Sequence, residues 1–355
     1  MAVLGTLQTG TAQIAATGSV ANITITSVDT SATLFSWGAR LETNRPDRGS
    51  ISARMVSPTS LQFRRSAAVA PAANIFWYVA EFSTNVSTQY RNASPVTATT
   101  MNVLINSVSP SKSAIFTTWN NGGGNYTDDD FFASRLQSAT SAQFLVTTTP
   151  NVLPLGIEFQ IFECSDCTVQ TGNMTWVAAT ANSTMTITSV DTTKAVLWLS
   201  YFSDDGSITN YAQKQVLGSF SSPTVVRFTR QSSGQNLSLY WQVIEFTDGT
   251  TVQLGTAVFA TTTTLTNVTI TSVATDRSVS FLSGMAGRGG MGTNIGDDNV
   301  GPYSFTHRLT SPTNLELYRE TTGNLTAFVS WQVVQFDTAA AVAVVELESS
   351  YIVIA

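Results

Sequence analysis

The chain has 355 residues, 43% of them hydrophobic, enough apolar material for several cores. Charged residues make up only 11%, with a net charge of −6. No basic run offers the clustered cations that displace phosphate counterions, so nucleic-acid binding is excluded. Thr, Ser, Asn and Ala replace the missing charge, and such Thr- and Val-rich composition favours strands over helices.

In chain order, the first strand is expected around Leu7-Gln8-Thr9-Gly10 and the second over Ile23 to Val28. The turn Ser57-Pro58-Thr59 follows, then Phe63, then a strand ending Trp77-Tyr78-Val79-Ala80-Glu81-Phe82. The same order returns three times. Gln8, Gln89, Gln170 and Gln253 step by 81, 81 and 83 residues. The tryptophan position recurs as Phe159, Trp241 and Trp331, and the turn as Ser138-Ala139-Thr140, Ser222-Pro223-Thr224 and Ser311-Pro312-Thr313. A period near 80 exceeds that of solenoid repeats or propeller blades, so each copy is read as a domain.

Within each copy the apolar pattern alternates. Ile75, Trp77 and Val79 share one face, as do Leu239, Trp241 and Val243. Tyr78, Gln160, Gln242 and Gln332 are expected to look outward, and Glu81, Glu163, Glu245 and Gln335 to close the rim. The expected fold is all-β, with four tandem β-sandwich (Ig-like) modules of five to seven strands. They span 1–83, 84–165, 166–247 and 248–338 and are followed by a C-terminal β tail at 339–355. Linkers this short should couple neighbouring modules closely. The tail, with Val344, Val345 and Tyr351 to Ile354, is too apolar to stay exposed. It is expected to fold back or to augment a neighbour's sheet.

One stretch varies while the frame repeats: 42–49, 120–130, 203–210 and 284–301. Candidate binding loops built on these carry Trp37, Trp119, Asn121, Tyr126, Asp128, Asp129, Tyr201, Asp204, Asp205, Asp297, Asp298 and Tyr303. The acidic pairs lack the alternating ligand spacing of a calcium loop and are read as solvated, so no metal or cofactor is expected. Adjacent carboxylates in Gly-rich loops also have nothing to set their pKa values apart for glycoside hydrolysis. Cys164-Ser165-Asp166-Cys167 is an isolated CxxC, far from the one histidine, His307, and short of a zinc ligand set. Catalytic residues are therefore expected to be none. The Asn-x-Ser/Thr matches, such as Asn22, Asn182, Asn267 and Asn324, are chance products of composition. The first residues carry no signal-peptide pattern, and no apolar run is long enough for a membrane span.

The start without a leader, the tandem sandwich pattern, the low Lys and Glu content and the W-x-V-x-E-F…V-Q-x-G cadence together resemble bacteriophage virion structural proteins of the capsid-decoration or tail-appendage type. The resemblance covers residues 1 to about 338 and is one of architecture, so it transfers no site residues. It implies a non-enzymatic virion protein, made in the host cytoplasm, whose partners are other capsid or tail proteins and itself. The alternative is a receptor-binding adhesin that recognises a host surface glycan or protein through the variable loops. Module 2, with Phe159 for Trp and Cys164 for Phe, is the departing copy.

Overall fold

The computed structural model describes residues 2–41, 46–93, 99–120, 131–146, 156–203, 211–283, 290–291, 304–323 and 326–337. The fold is all-β: eight small antiparallel sheets, paired into four sandwich-like modules. In module 1, β1 (Val3–Ile14), β6 (Ala73–Thr84) and β3 (Thr33–Arg40) form an inner sheet in the order β1-β6-β3. The outer sheet is β2-β5-β4, built from β2 (Val20–Thr24), β5 (Ser60–Arg64) and β4 (Ser52–Ser57).

Module 2 repeats this with inner β7 (Val86–Ala93), β12 (Gly156–Cys164) and β9 (Ser113–Asn120). Its outer strands are β8 (Thr100–Leu104), β11 (Ser141–Leu145) and β10 (Ala133–Ser138). Module 3 has inner β13 (Cys167–Trp176), β18 (Leu237–Phe246) and β15 (Ala195–Ser203). Outside lie β14 (Asn182–Thr186), β17 (Val225–Thr229) and β16 (Leu217–Ser222). Module 4 has inner β19 (Thr251–Phe259), β25 (Ala327–Gln335) and β21 (Ser278–Leu282), with the two-residue β22 (Gly290–Met291) added to β25. Its outer strands are β20 (Leu265–Thr269), β24 (Asn314–Arg319) and β23 (Phe305–Ser311).

The repeated residues explain why the same six strands form each time. Gln8 donates from Nε2 to Thr26 O (2.9 Å) and accepts from Thr26 N (2.8 Å), stapling the inner sheet to the chain leaving β2. Gln89, Gln170 and Gln253 bind Asn106, Thr188 and Thr271 in the same paired way. The glycine two residues later stands opposite the tryptophan: Gly10↔Trp77, Gly172↔Trp241, Gly255↔Trp331. A Cβ on Gly172 would meet Trp241 Cζ2 at 2.4 Å, so the indole occupies the space a side chain would need. In module 2 the pair is Arg91↔Phe159, the smaller ring and the larger partner changing together.

The Ser-Pro-Thr turn joins the third outer strand to the second. Pro58 O and Thr59 O accept from Val28 N and Ile25 N, a pattern kept in every module. Phe63, Phe144, Phe228 and Leu317 are buried at the base of the four cores. The rim carboxylates take backbone amides: Asp29 N donates to Glu81 (2.6 Å), Ser109 N to Glu163 (2.7 Å) and Asp191 N to Glu245 (2.6 Å). Gln335 accepts from Ala274 N in the same place.

The four modules close on one another. Tyr78, Ala80 and Phe82 on the outward face of β6 join Phe162, Cys164, Ile244, Phe246, Val334 and Phe336 in one apolar cluster shared by all modules. Phe82 and Phe336 meet edge to face at 4.9 Å, and Phe246 and Phe336 at 5.9 Å. Leu4 N donates to Asp337 O (3.0 Å), so the first strand of module 1 is tied to the last of module 4. The expectation of a glutamine face turned to solvent is therefore overturned. Gln160, Gln242 and Gln332 are buried, because that face of each inner sheet packs on the next module. The tail at 339–355 lies outside the described residues.

Candidate functional site

The junctions are where the chemistry concentrates. β3, β9, β15 and β21 are edge strands of the inner sheets in the order above, with N–H and C=O groups that no neighbouring strand pairs. Gln160 of module 2 accepts from Phe35 N (3.2 Å) and donates to Phe35 O (2.8 Å) on β3. Gln242 does the same to Ile115 on β9 (2.8 and 2.9 Å), and Gln332 to Leu197 on β15 (2.7 and 2.9 Å). One amide side chain thus completes a strand edge across each of three junctions.

The fourth junction closes differently. Tyr78 stands where the glutamines do, and Ser280 of β21 replaces Phe35, Ile115 and Leu197. Ser280 Oγ lies 2.9 Å from Tyr78 Oη and 2.8 Å from His307 Nδ1. Leu309 N donates to Tyr78 Oη (3.1 Å), and the His307 ring stacks on Tyr78 with centroids 6.1 Å apart. A Cβ on Gly38 would sit 2.6 Å from His307 Cδ2, so β3 needs glycine there. At the equivalent points of junctions 1–2 and 2–3, Thr118 Oγ1 binds the backbone of Ala53 and Ser200 Oγ that of Ser134. The closing junction exchanges a hydroxyl against a small residue for a glycine against an imidazole.

Burial controls the electrostatics of this cluster. It raises the Tyr78 phenol to about 12, opposed by its hydrogen bonds to Ser280 and Leu309. Burial also lowers His307 to about 4, with a backbone hydrogen bond at Trp37 pulling the other way. A serine beside a histidine is the start of a nucleophile–base pair. Here Ser280 is 0% and His307 1% exposed, so no substrate can reach the hydroxyl and the group acts as a latch.

The candidate loop aromatics land elsewhere. Trp37, Trp119 and Tyr201 are buried core residues, a correction to their assignment as binding-loop side chains. They sit on β3, β9 and β15, which carry their rings into the sandwich cores. Asn121, Tyr126, Asp128, Asp129, Asp204, Asp205, Asp297, Asp298 and Tyr303 lie outside the described residues. The strands that flank those segments are placed, however. β3 pairs Thr33 with Glu81 near the linker and Arg40 with Asn74 far from it, and β9 and β15 run likewise. Every variable stretch therefore departs from the end of its module opposite the linkers.

Three arginines have a structural role that composition and alternation do not mark. Arg65, Arg230 and Arg319 are buried two residues after Phe63, Phe228 and Leu317. Arg230 donates to Thr180 O through Nε and Nη2 (2.9 and 2.7 Å) and to Val177 O (2.8 Å). Arg65 binds Gly18, Ala15 and Pro71 carbonyls, and Arg319 those of Thr263 and Ala260. The Arg65 and Arg230 guanidinium groups tie the turn between the first two strands of their modules to the loop before the last strand, and Arg319 binds the corresponding turn of module 4; module 2 has Val146 there. The Arg two places after the buried Phe was the available signal, but a lone arginine reads as surface.

Cys164 and Cys167 are free thiols buried at the junction of β12 and β13. Burial, then the hydrogen bond to Cys164, pushes the Cys167 thiol far up, which leaves it unreactive. Among the described residues no group of three or more His, Cys, Asp or Glu side chains is placed to hold a metal, and no helix is long and apolar enough to cross a membrane. Compared with known proteins, the chain matches no protein-family model and no curated sequence.

Proposed function

We propose that the protein is a non-enzymatic structural component of a bacteriophage virion, a capsid decoration or part of an external appendage. The observation that supports this most is the closed circle of four copies of one module. A neighbour's glutamine completes the strand edge at three junctions, Tyr78 and Ser280 latch the fourth, and all variable stretches leave from one end. In such a circle the linkers and the shared apolar cluster lie at one end, and the flanking strands lead into the variable stretches at the other. A particle surface asks for such a part, with a fixed side that attaches and a free side that faces outward. Mass spectrometry of purified particles from the phage that encodes the chain should find it in stoichiometric amount. Its absence from particles, with expression during infection intact, would remove the virion assignment.

The common departure of the four variable stretches from one end also favours a second reading, a receptor-binding adhesin. Replacing residues 121–129 or 287–298 by short Gly-Ser turns separates the two. Unchanged adsorption to the host supports the structural part, and loss of adsorption by intact particles supports the adhesin.

A further inference from the structure

Four equivalent positions, one per module, face the middle of the circle: Ser36, Phe116, Trp198 and Phe281. Three are aromatic, and Phe116 and Trp198 meet edge to face at 5.0 Å. Ser36 breaks the set and leaves a cavity of about 270 Å³ that all four positions line. The cavity continues into the junction of modules 1 and 2, to Arg54, Arg91, Glu158 and Phe159.

Most of these residues are the places where module 2 departs from the repeat. Arg91 stands where the other modules have Gly10, Gly172 and Gly255, and Phe159 where they have tryptophan. Glu158 stands where they have Phe76, Tyr240 and Ser330. These three departures, two of which also exchange a larger ring for a smaller one against a larger partner, line one cavity beside Ser36, where the other modules carry an aromatic ring. We propose that this cavity is a binding site for one neutral sugar residue, independent of the variable loops and of the virion assignment.

The lining selects the class of ligand. Trp198 and Phe116 offer flat faces and edges against which the C–H groups of a sugar ring pack. Arg54 and Glu158 carry opposite charges and are held at a long 3.4 Å, leaving room for hydroxyls that donate to the carboxylate and accept from the guanidinium. Glu158 is 7% exposed, and among the described residues its carboxylate takes a hydrogen bond from Arg54 alone. Burial raises its pKa, chiefly opposed by Arg54, as expected of a carboxylate short of donors. An anionic ligand would meet Glu158, and a cationic one Arg54 and Arg91. A neutral polyol satisfies both signs. The volume is at the small end of ligand cavities, the size of a single sugar unit rather than a chain. Arg91 is exposed and marks the mouth.

Saturation-transfer NMR and tryptophan fluorescence on the full chain test this, with glucose, galactose, mannose and N-acetylglucosamine as probes and glucosamine and sialic acid as charged controls. At least one neutral probe should bind saturably, with a dissociation constant on the order of 1 mM. Ser36→Phe, which restores the fourth ring, and the isosteric Glu158→Gln should each weaken it about tenfold, with circular dichroism unchanged. Should Ser36→Phe disturb folding, Glu158→Gln carries the result alone. No saturable binding by any neutral probe up to about 100 mM, tighter binding of a charged control, or binding that Glu158→Gln leaves intact would each overturn the proposal.

Discussion

At the level of single residues, two neighbours on β18 show how one strand serves two interiors. Trp241 points into the core of module 3 and covers Gly172; Gln242 points the other way and completes the edge of β9 in module 2. Trp241→Ala should cost about 3–5 kcal/mol, the usual loss for a buried large ring. From the alternation alone Gln242→Ala should cost well under 1 kcal/mol, as for a surface change. With both amide bonds buried, the cost instead becomes about 2–5 kcal/mol, because the N–H and C=O of Ile115 are left without partners. Urea unfolding of the two variants checks this. A Gln242→Ala midpoint equal to wild type would mean that the junction amides contribute nothing.

At the level of strands, the Gln-x-Gly signature on the first strand of each module is a pair of devices with different tolerances. The glutamine staples two sheets through hydrogen bonds, and the glycine yields its side-chain space to an indole. Gly172→Ala should therefore destabilise by about 1–3 kcal/mol through overpacking against Trp241. In a Trp241→Phe background the same substitution should cost less, as the native Arg91–Phe159 pair indicates. A double-mutant cycle by thermal or denaturant unfolding reads the coupling; additive effects would show that the indole is not what excludes a side chain there. The sequence displayed Gln, Gly and Trp as separate marks at fixed spacing. Their joint meaning depended on the register Gly172↔Trp241, which spacing alone does not set.

For the whole molecule, closure has two measurable consequences. The four modules share one apolar cluster and four side-chain-bridged junctions, so calorimetry should give a single cooperative transition rather than four. Two or more separable transitions would mean that the modules are independent beads. The second concerns acid. His307, depressed to about 4 by burial, is neutral in the folded chain but titrates near 6.5 once unfolded. A depressed folded value gives stability that is complete above about 6.5 and lost as pH falls from there towards 4. The full loss is about 3 kcal/mol, at ~1.4 kcal/mol per unit. His307→Gln should flatten the pH dependence of the melting temperature across that window. A profile unchanged by the substitution would place the acid sensitivity elsewhere.

The sequence by itself determined the fold class, the four copies, the inward faces and the turns, because these follow from local alternation and from short motifs repeated at one spacing. Ile75, Trp77 and Val79 are buried where their period put them, and the Ser-Pro-Thr turns occur where they were read. Only the tertiary structure decided what the other face of each inner sheet meets. Period-two alternation says that Gln242 and Trp241 point in opposite directions; it cannot say whether the second direction holds water or another module. The apolar neighbours Ala80 and Phe82, Phe162 and Cys164, Ile244 and Phe246 hinted at a covered face, but a hint without a partner is not a contact. The same holds for Ser36, Arg91, Glu158 and Phe159. They are spread over more than a hundred positions in the chain and become one cavity only because module 1 docks on module 2 within a closed circle.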